Sequence, residues 1–276
     1  MFARVRAAAM SASGQQPVSL EPAEAYELHV GRYAAELAEA LIAAAGVRPG
    51  MRALDVGCGP GALAAALSEV LGGGSVRAID PSGAFVEACR SRVPTTRVVR
   101  GMAEELPFAD SEFDAVLAQL VLNHMSDVPR GVAEMRRVAR PGAIVVASVW
   151  DFADGMPMLR SFWDAARSVD PAGAIAAGAG TQPAFSDPER LRVLWEGAGL
   201  DEVTLGALQV GHRYDDLDDF WASFEAGYGA SGRYLASLDG ATRRELREEV
   251  DRRLGEPEGA FDLHARAWYV CGRVPA

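Results

Sequence analysis

Gly57, Gly59 and Gly61 stand at alternate positions between a short apolar run and an alanine-rich one, and no other stretch restricts the fold as tightly. Ala53, Leu54 and Val56 read as a buried strand, and Ala62 to Leu71 reads as a helix. A strand that breaks into a glycine turn and opens a helix begins a βαβ unit. Glycine tolerates positive φ and lets the backbone approach a ligand that a Cβ would keep away. The free N–H groups and partial positive charge at the helix start favour an anionic group above the strand. A second strand, Ser75 to Ile79, ends in Asp80, a carboxylate suited to grip two vicinal ribose hydroxyls. The pattern indicates a cofactor that contains a nucleoside. It does not say which.

The run Gly57 to Ala62 also satisfies the dinucleotide pattern G-x-G-x-x-G/A, with an acid about twenty residues on. Asp55 sits just before the glycines, where a carboxylate repels a pyrophosphate and attracts an ammonium. A third strand, Thr95 to Val99, is followed by Gly101-Met102-Ala103-Glu104-Glu105-Leu106-Pro107-Phe108. At these residues the chain resembles the class I S-adenosyl-L-methionine (SAM)-dependent methyltransferases, in the branch that includes the ubiquinone and menaquinone biosynthesis enzymes. Leu-Asp-Val-Gly-Cys-Gly-x-Gly, Asp80 and Ala-Glu-Glu-Leu-Pro-Phe occur in that family's order and spacing.

The resemblance implies SAM as cofactor and an α/β fold: a doubly wound, seven-stranded, mostly parallel sheet whose last strand is antiparallel. Helical cap segments are expected after strand five and after strand six. Gly57, Cys58, Gly59 and Gly61 would flank the methionyl part, Asp55 its ammonium, and Asp80 with Pro81 the ribose. Met102, Ala103 and Glu104 would flank the adenine, and Gln119 would contact the cofactor through its backbone. The family commonly carries an acid where this chain has Met102, so the adenine contact must lean on backbone and packing. In the leader helix the resemblance implies that Arg32 pairs with the methionyl carboxylate and Tyr26 closes the pocket.

The 276 residues suffice for one large domain or a core with a sizeable insertion, and 49% hydrophobic residues are ample for a packed core. A net charge of −11 argues against a nucleic-acid substrate. Cys58, Cys89 and Cys271 show no metal-ligand or redox spacing and read as reduced. No apolar run is long enough for a bilayer, and the first residues are too brief in apolar character for a secretion signal. A cytoplasmic protein without a membrane partner, monomeric or homodimeric, is expected. Residues 1–20 read as a disordered tail, with Met10 an alternative start. Residues 21–150 read as the SAM-binding core with its N-terminal helical lid. Residues 151–276 read as cap segments plus strands six and seven.

In order along the chain, Pro22 to Ala45 reads as one helix ended by Gly46. Pro81 to Arg92 follows strand two as a helix, and Glu112 to Ala118 is strand four. Ser126 can cap a helix running to Ala139. Arg140-Pro141-Gly142 reads as a turn before strand five, Ala143 to Val149. One amphipathic helix carries Met158, Leu159, Phe162 and Trp163, and Ser186 to Glu189 reads as a capping box. Val203 to Val210 is strand six. Asp215 to Leu254 holds two or three helices broken at Gly227-Tyr228-Gly229 and Asp239-Gly240, and His264 to Val274 closes the sheet.

For the acceptor side, His124 follows strand four at the ligand-facing end and could take a proton from a hydroxyl, or serve as a structural histidine. Asp151, at the end of strand five, is a second candidate base or orienter. Asn123, Trp150, Phe162, Trp163, Trp221 and Tyr228 are candidate substrate contacts in or near the cap, although aromatic stripes at helical spacing also build cores. The run Asp215 to Asp219 suits a helix first turn better than a metal site, and no metal is expected. A small, largely apolar acceptor methylated at O, C or N follows. A non-methylating SAM binder (a cyclase-type enzyme or a sensor) remains open, and so, less favoured, does a nicotinamide-dependent oxidoreductase.

Overall fold

A computed structural model describes residues 22–276; the expected tail lies outside the described residues. Seven strands, β1 (Ala53–Val56), β2 (Val76–Asp80), β3 (Arg97–Arg100), β4 (Phe113–Gln119), β5 (Ala139–Trp150), β6 (Asp201–Tyr214) and β7 (Phe261–Arg273), form one sheet. Their order is β3-β2-β1-β4-β5-β7-β6. The first five pair in parallel, and β7 runs antiparallel to both β5 and β6. The chain reverses direction across the sheet between β1 and β4, so the carboxyl ends of those two strands flank a crevice, the place where such sheets bind ligands.

Period-two alternation explains how both faces are covered. Ala115 and Leu117 of β4, with Ile144 and Val146 of β5, face Leu37 and Leu41 of α2 (Ala34–Ala45) and Leu63 and Leu67 of α3 (Ala62–Leu71). Val116, Ala118, Val145 and Ala147 point the other way. They meet Val132 and Met135 of the helix Val128–Val138, and Leu191 and Trp195 of the helix Pro188–Gly197. The Trp195 indole donates to Val145 O at 3.0 Å, so its burial leaves no orphaned N–H. Each fully buried leucine contributes about 1.5–3 kcal/mol.

The expected single helix over Pro22 to Ala45 is broken. It runs as α1 (Pro22–Leu28), a 3₁₀ turn (Val30–Tyr33) and α2. A Cβ on Gly31 would lie 2.8 Å from Tyr26 O and 3.0 Å from its ring, so the glycine lets the chain fold back onto Tyr26. Two capping expectations also shift by one residue. Asp127, rather than Ser126, caps the helix Val128–Val138 by accepting from Arg130 N, because Ser126 is already bonded to Glu104. Asp187 caps the helix Pro188–Gly197 through Glu189 N at 2.8 Å. Strand five starts at Ala139, and the expected turn becomes its irregular opening, with Gly142 at φ +76°.

The hairpin of β6 and β7 is longer than its apolar pattern announced. β5 pairs with β7 only as far as Ala267, and the hairpin continues to Tyr214 opposite Phe261. This overhang supports the cap. Tyr214 stacks on Phe261 at 5.4 Å and meets Phe220 edge-on. The cap helices are Pro157–Val169 and Pro171–Ala176 after β5, then Leu217–Glu225, Gly229–Ser237 and Gly240–Leu254 after β6. Phe162 stacks on Phe224 at 4.3 Å to join the two groups.

Candidate active site

The glycine turn is pinned to the neighbouring strand: Gly57 N and Cys58 N both donate to Ile79 O, at 2.8 and 3.0 Å. Its three glycines are required for different reasons. All have positive φ. A Cβ on Gly57 would meet Val121 Cγ2 at 2.2 Å, and one on Gly61 would meet Cys89 Sγ at 2.8 Å. These two are held by protein packing. Only Gly59 faces open space, with nothing within 4 Å of a built Cβ. The N-terminus of α3 opens beside it, at Gly61, without a side-chain cap.

Asp55 is fully buried on β1, and no side chain pairs with either carboxylate oxygen. Burial pushes its carboxyl well above the usual range, Cys89 and Asp80 add to the push, and the Ala64 backbone N–H in the first turn of α3 opposes it. Asp80 closes β2 with Oδ2 accepting from Gly59 N at 2.9 Å and Oδ1 from Ser82 N at 2.8 Å. Burial raises its carboxyl too, while the Ser82 and Gly59 bonds and nearby His124 oppose the rise. Beyond β3, Gly101 N donates to Asp80 O, which brings Ala103 (buried) and Met102 (46% exposed) alongside. An exposed methionine here is an open apolar platform. Glu104 turns away: its Oε1 accepts from Ser126 N, Ser126 Oγ and Asp127 N, so it fixes the loop after β4. The Pro81 carbonyl accepts from Arg100.

A cavity of about 590 Å³ adjoins the carboxyl end of the sheet. Val149, Trp150, Met156, Leu159 and Trp163 give it an apolar wall; Tyr26, His29, Asn123, His124, Tyr228 and Ser231 bring polar groups, and Arg160, Asp164 and Arg167 bring charged ones. Asp55, the three glycines and Asp80 do not line it. Tyr26 bridges the two regions: it lines the cavity, and its phenol is pushed up by burial and by the charges of Tyr228, Glu27, Asp55 and Asp80. Leu120, another wall residue, holds φ at +61°, strain of about 1–3 kcal/mol of the kind that collects at ligand sites.

Several expected site residues are engaged elsewhere. All five N–H groups of Arg32 have acceptors: Leu28 O, His212 Nε2, and the backbone and carboxylate oxygens of Asp219. None remains for a methionyl carboxylate, so Arg32 is a strut between the lid and the cap. Asp151 is 2% exposed, ion-paired to Arg266 through Oδ2, and accepts from Ala153 N and Asp154 N through Oδ1. It holds a turn and does not reach the cavity. Phe162 and Trp221 are core residues away from the wall. The Gln119 amide donates to Ala34 O at 2.9 Å, tying β4 to α2. Asn123 accepts from Phe185 N, which secures the far loop while it lines the cavity. In the acidic run, Asp216 caps a helix by accepting from Asp219 N, and Asp218 and Asp219 pair with Arg247 and Arg32.

The sequence reading passed over His29, Ser231 and Leu159, which line the cavity. His29 was visible as a histidine on a lid helix between Leu28 and Val30, a weak signal. Ser231 and Leu159 carried none.

A family profile described as a methyltransferase domain matches residues 54–147. The ubiquinone/menaquinone biosynthesis C-methyltransferase UbiE of Burkholderia vietnamiensis is 33% identical over 193 residues, 63% of this chain and 79% of that protein. The chain belongs to the class I SAM-dependent methyltransferases. A demethylmenaquinone methyltransferase of Staphylococcus aureus is 41% identical over 105 residues, 37% of this chain and only 44% of its own length. Among solved structures, the phosphoethanolamine N-methyltransferase 2 of Haemonchus contortus in complex with SAM aligns with a TM-score of 0.55 at 16% identity. That alignment covers 92% of this chain and 57% of that one, and it shows the shared fold.

SAM is the cofactor of this methyltransferase family, and the residues present fit it. The Asp55 carboxyl, buried with no side-chain partner, is a site where a cation would be stabilised. Gly59 opens a place where backbone can meet a ligand. Asp80 retains lone pairs beside those used by Gly59 and Ser82.

Proposed function

We propose that this methyltransferase acts on a small, largely apolar acceptor, methylated at O, C or N. The observation that carries the reading is the cavity of about 590 Å³ at the carboxyl end of the sheet, with one apolar wall and with Tyr26 between it and the acids of the glycine-turn region. When bound, SAM supplies an electrophilic methyl on its sulfonium. In this reading Asp55 holds the ammonium, Gly59 and the start of α3 meet the methionyl backbone, Asp80 holds the ribose, and Met102 and Ala103 flank the adenine. Tyr26 covers the junction from the lid. The wall of the cavity excludes water and orients the acceptor, and orientation alone can supply on the order of 7–11 kcal/mol.

His124 lies at the exposed rim of the cavity, near enough to Asp80 for its charge to be felt there. For a hydroxyl acceptor it is the residue we assign to take the proton. Replacing it, His124→Ala, lowers kcat by roughly 10²-fold or more if that assignment holds; an unchanged kcat assigns the rate to positioning alone.

The reading is tested by incubating the protein with SAM and a set of lipophilic phenols, quinols and amines, and following S-adenosylhomocysteine and methylated product by mass spectrometry. Equal amounts of the two from at least one acceptor are expected. Retained SAM with no methylated product from any of them supports a non-methylating SAM protein instead.

A further inference from the structure

Arg77 of β2 and Arg97 of β3 are register partners in the parallel pairing of those strands. Neighbouring strands lie about 4.7–4.9 Å apart, so two like charges stand side by side, an arrangement that is destabilising. β3 is the edge of the sheet, and charged side chains on an edge keep other chains from pairing with it. That accounts for Arg97 and Arg100. It leaves Arg77 unexplained, since β2 is an inner strand between β1 and β3.

The three arginines line a cavity of about 360 Å³ with Val99, Pro107 and Phe108. None of them has a carboxylate partner among the described residues. Arg77 Nη1 donates to Gly74 O and Val76 O, Arg100 Nε donates to Pro81 O, and the Arg97 guanidinium bonds to nothing among them. One acid, Glu112, also lines the cavity. Its Oε1 accepts from Arg52 Nη2 at 2.9 Å and its Oε2 from Ala109 N at 3.3 Å, so its charge is already met. Three positive charges therefore stand unbalanced here, in a chain whose net charge is −11. This cavity shares no lining residue with the one of about 590 Å³. Arg77, Arg97 and Glu112 stand at or beside the amino ends of β2, β3 and β4, whereas the cofactor crevice lies at the carboxyl ends.

We propose that this cavity is a second binding site, separate from the cofactor and acceptor sites, and that it takes a small phosphate monoester with an apolar body. A guanidinium presents its N–H groups in a fork that matches phosphate oxygens in pairs. A phosphate monoester carries a charge of about −1.5 to −2 near pH 7, which suits Arg77 and Arg97 together better than the single charge of a carboxylate does. Arg77 keeps Nε and Nη2 for such a ligand, and Arg97 its whole guanidinium. Val99, Pro107 and Phe108 offer the organic part an apolar surface. The space suits a compact ligand, near the lower end of the range for small-molecule sites. A bound dianion also offsets the repulsion between the two paired arginines.

The test is a calorimetric titration of the full chain with phenyl phosphate, inorganic phosphate and benzoate in low-salt buffer, with and without saturating S-adenosylhomocysteine. Phenyl phosphate is expected to fill one site per chain, more tightly than either of the other anions, and equally well in both conditions. Arg77→Gln and Arg97→Gln should each weaken it about tenfold or more, the usual effect of losing hydrogen bonds to a charged group. Arg160→Gln, a change on the wall of the other cavity, should leave it unaltered. Thermal unfolding reports whether each variant is folded, and either arginine variant of this site suffices if the other is not. No saturable binding at millimolar phenyl phosphate overturns the inference, and so does equal affinity for inorganic phosphate or benzoate. Competition with S-adenosylhomocysteine, parental affinity in a folded Arg77→Gln or Arg97→Gln chain, or a loss in Arg160→Gln instead overturns it as well.

Discussion

Gly59 donates its backbone N–H to Asp80 Oδ2 at 2.9 Å, so the acid at the end of β2 shapes the turn at the end of β1. One carboxylate thereby orders the backbone and faces the proposed ribose site. Asp80→Ala should weaken SAM binding by about 1–3 kcal/mol, the usual cost of losing hydrogen bonds to a charged group. Calorimetry on the folded variant checks this, and parental affinity would place the ribose elsewhere.

Asp55 should couple SAM binding to protons. Its folded carboxyl titrates well above the ordinary 3.8 because burial leaves the charge unsolvated. The folded chain therefore binds more protons than the unfolded one above that pH, and the contribution of this group to stability declines as pH rises from 3.8 toward the folded value. Asp55→Asn should remove that decline from the pH profile of thermal unfolding. An ammonium placed beside the carboxylate lowers its pKa again, so SAM binding to the parent should release protons. Titrations in buffers of different ionisation enthalpy detect that release, which the Asn variant should lack.

Arg32 should matter to stability and not to the cofactor. Its pairing with Asp219 links the lid to the cap, with side chains 11% and 22% exposed. Arg32→Met should lower stability by about 1–2 kcal/mol, discounted for partial solvent access, and leave SAM affinity unchanged. A loss of about tenfold or more in affinity, with the fold retained, would restore the methionyl carboxylate as its partner.

His29 gives a slope of the opposite sign. Its folded pKa is lowered from 6.5 to about 4 by burial, so between those values the unfolded chain binds more protons. Stability from this group is complete above pH 6.5 and falls as pH drops toward 4, by on the order of 3 kcal/mol in all. Replacement by phenylalanine should flatten that acid limb in urea titrations at several pH values. An unchanged limb would mean that the ring is solvated in the folded state.

What the sequence made legible was local. Ala53 to Leu71 could be read residue by residue because strand, glycine turn and helix each leave a pattern over a few positions. Asp80 followed from its place at a strand end. The roles of Arg32 and Asp151 were not legible, because their partners, Asp219 and Arg266, lie far along the chain and no local pattern names them. Phe162 and Trp221 show the same gap: periodicity puts an aromatic residue on an inward helix face, but not on the cavity or the core side of it. The β6–β7 overhang was missed because His212 and Arg213 interrupt the apolar alternation, while their partners, Arg32 of the lid and Asp262 of β7, lie far along the chain. His29 was missed for the converse reason, since a single buried histidine has no spacing to betray it.

The central claim is that the turn at Gly59, with Asp55 beneath it and Asp80 beside it, holds an adenosyl amino acid. A calorimetric titration of the full chain with S-adenosylhomocysteine tests it most directly, with NAD as the competing ligand. One site per chain is predicted, weakened in both Asp55→Asn and Asp80→Ala, with no heat from NAD. A folded chain that ignores S-adenosylhomocysteine, or that binds NAD through the same two acids, would contradict it.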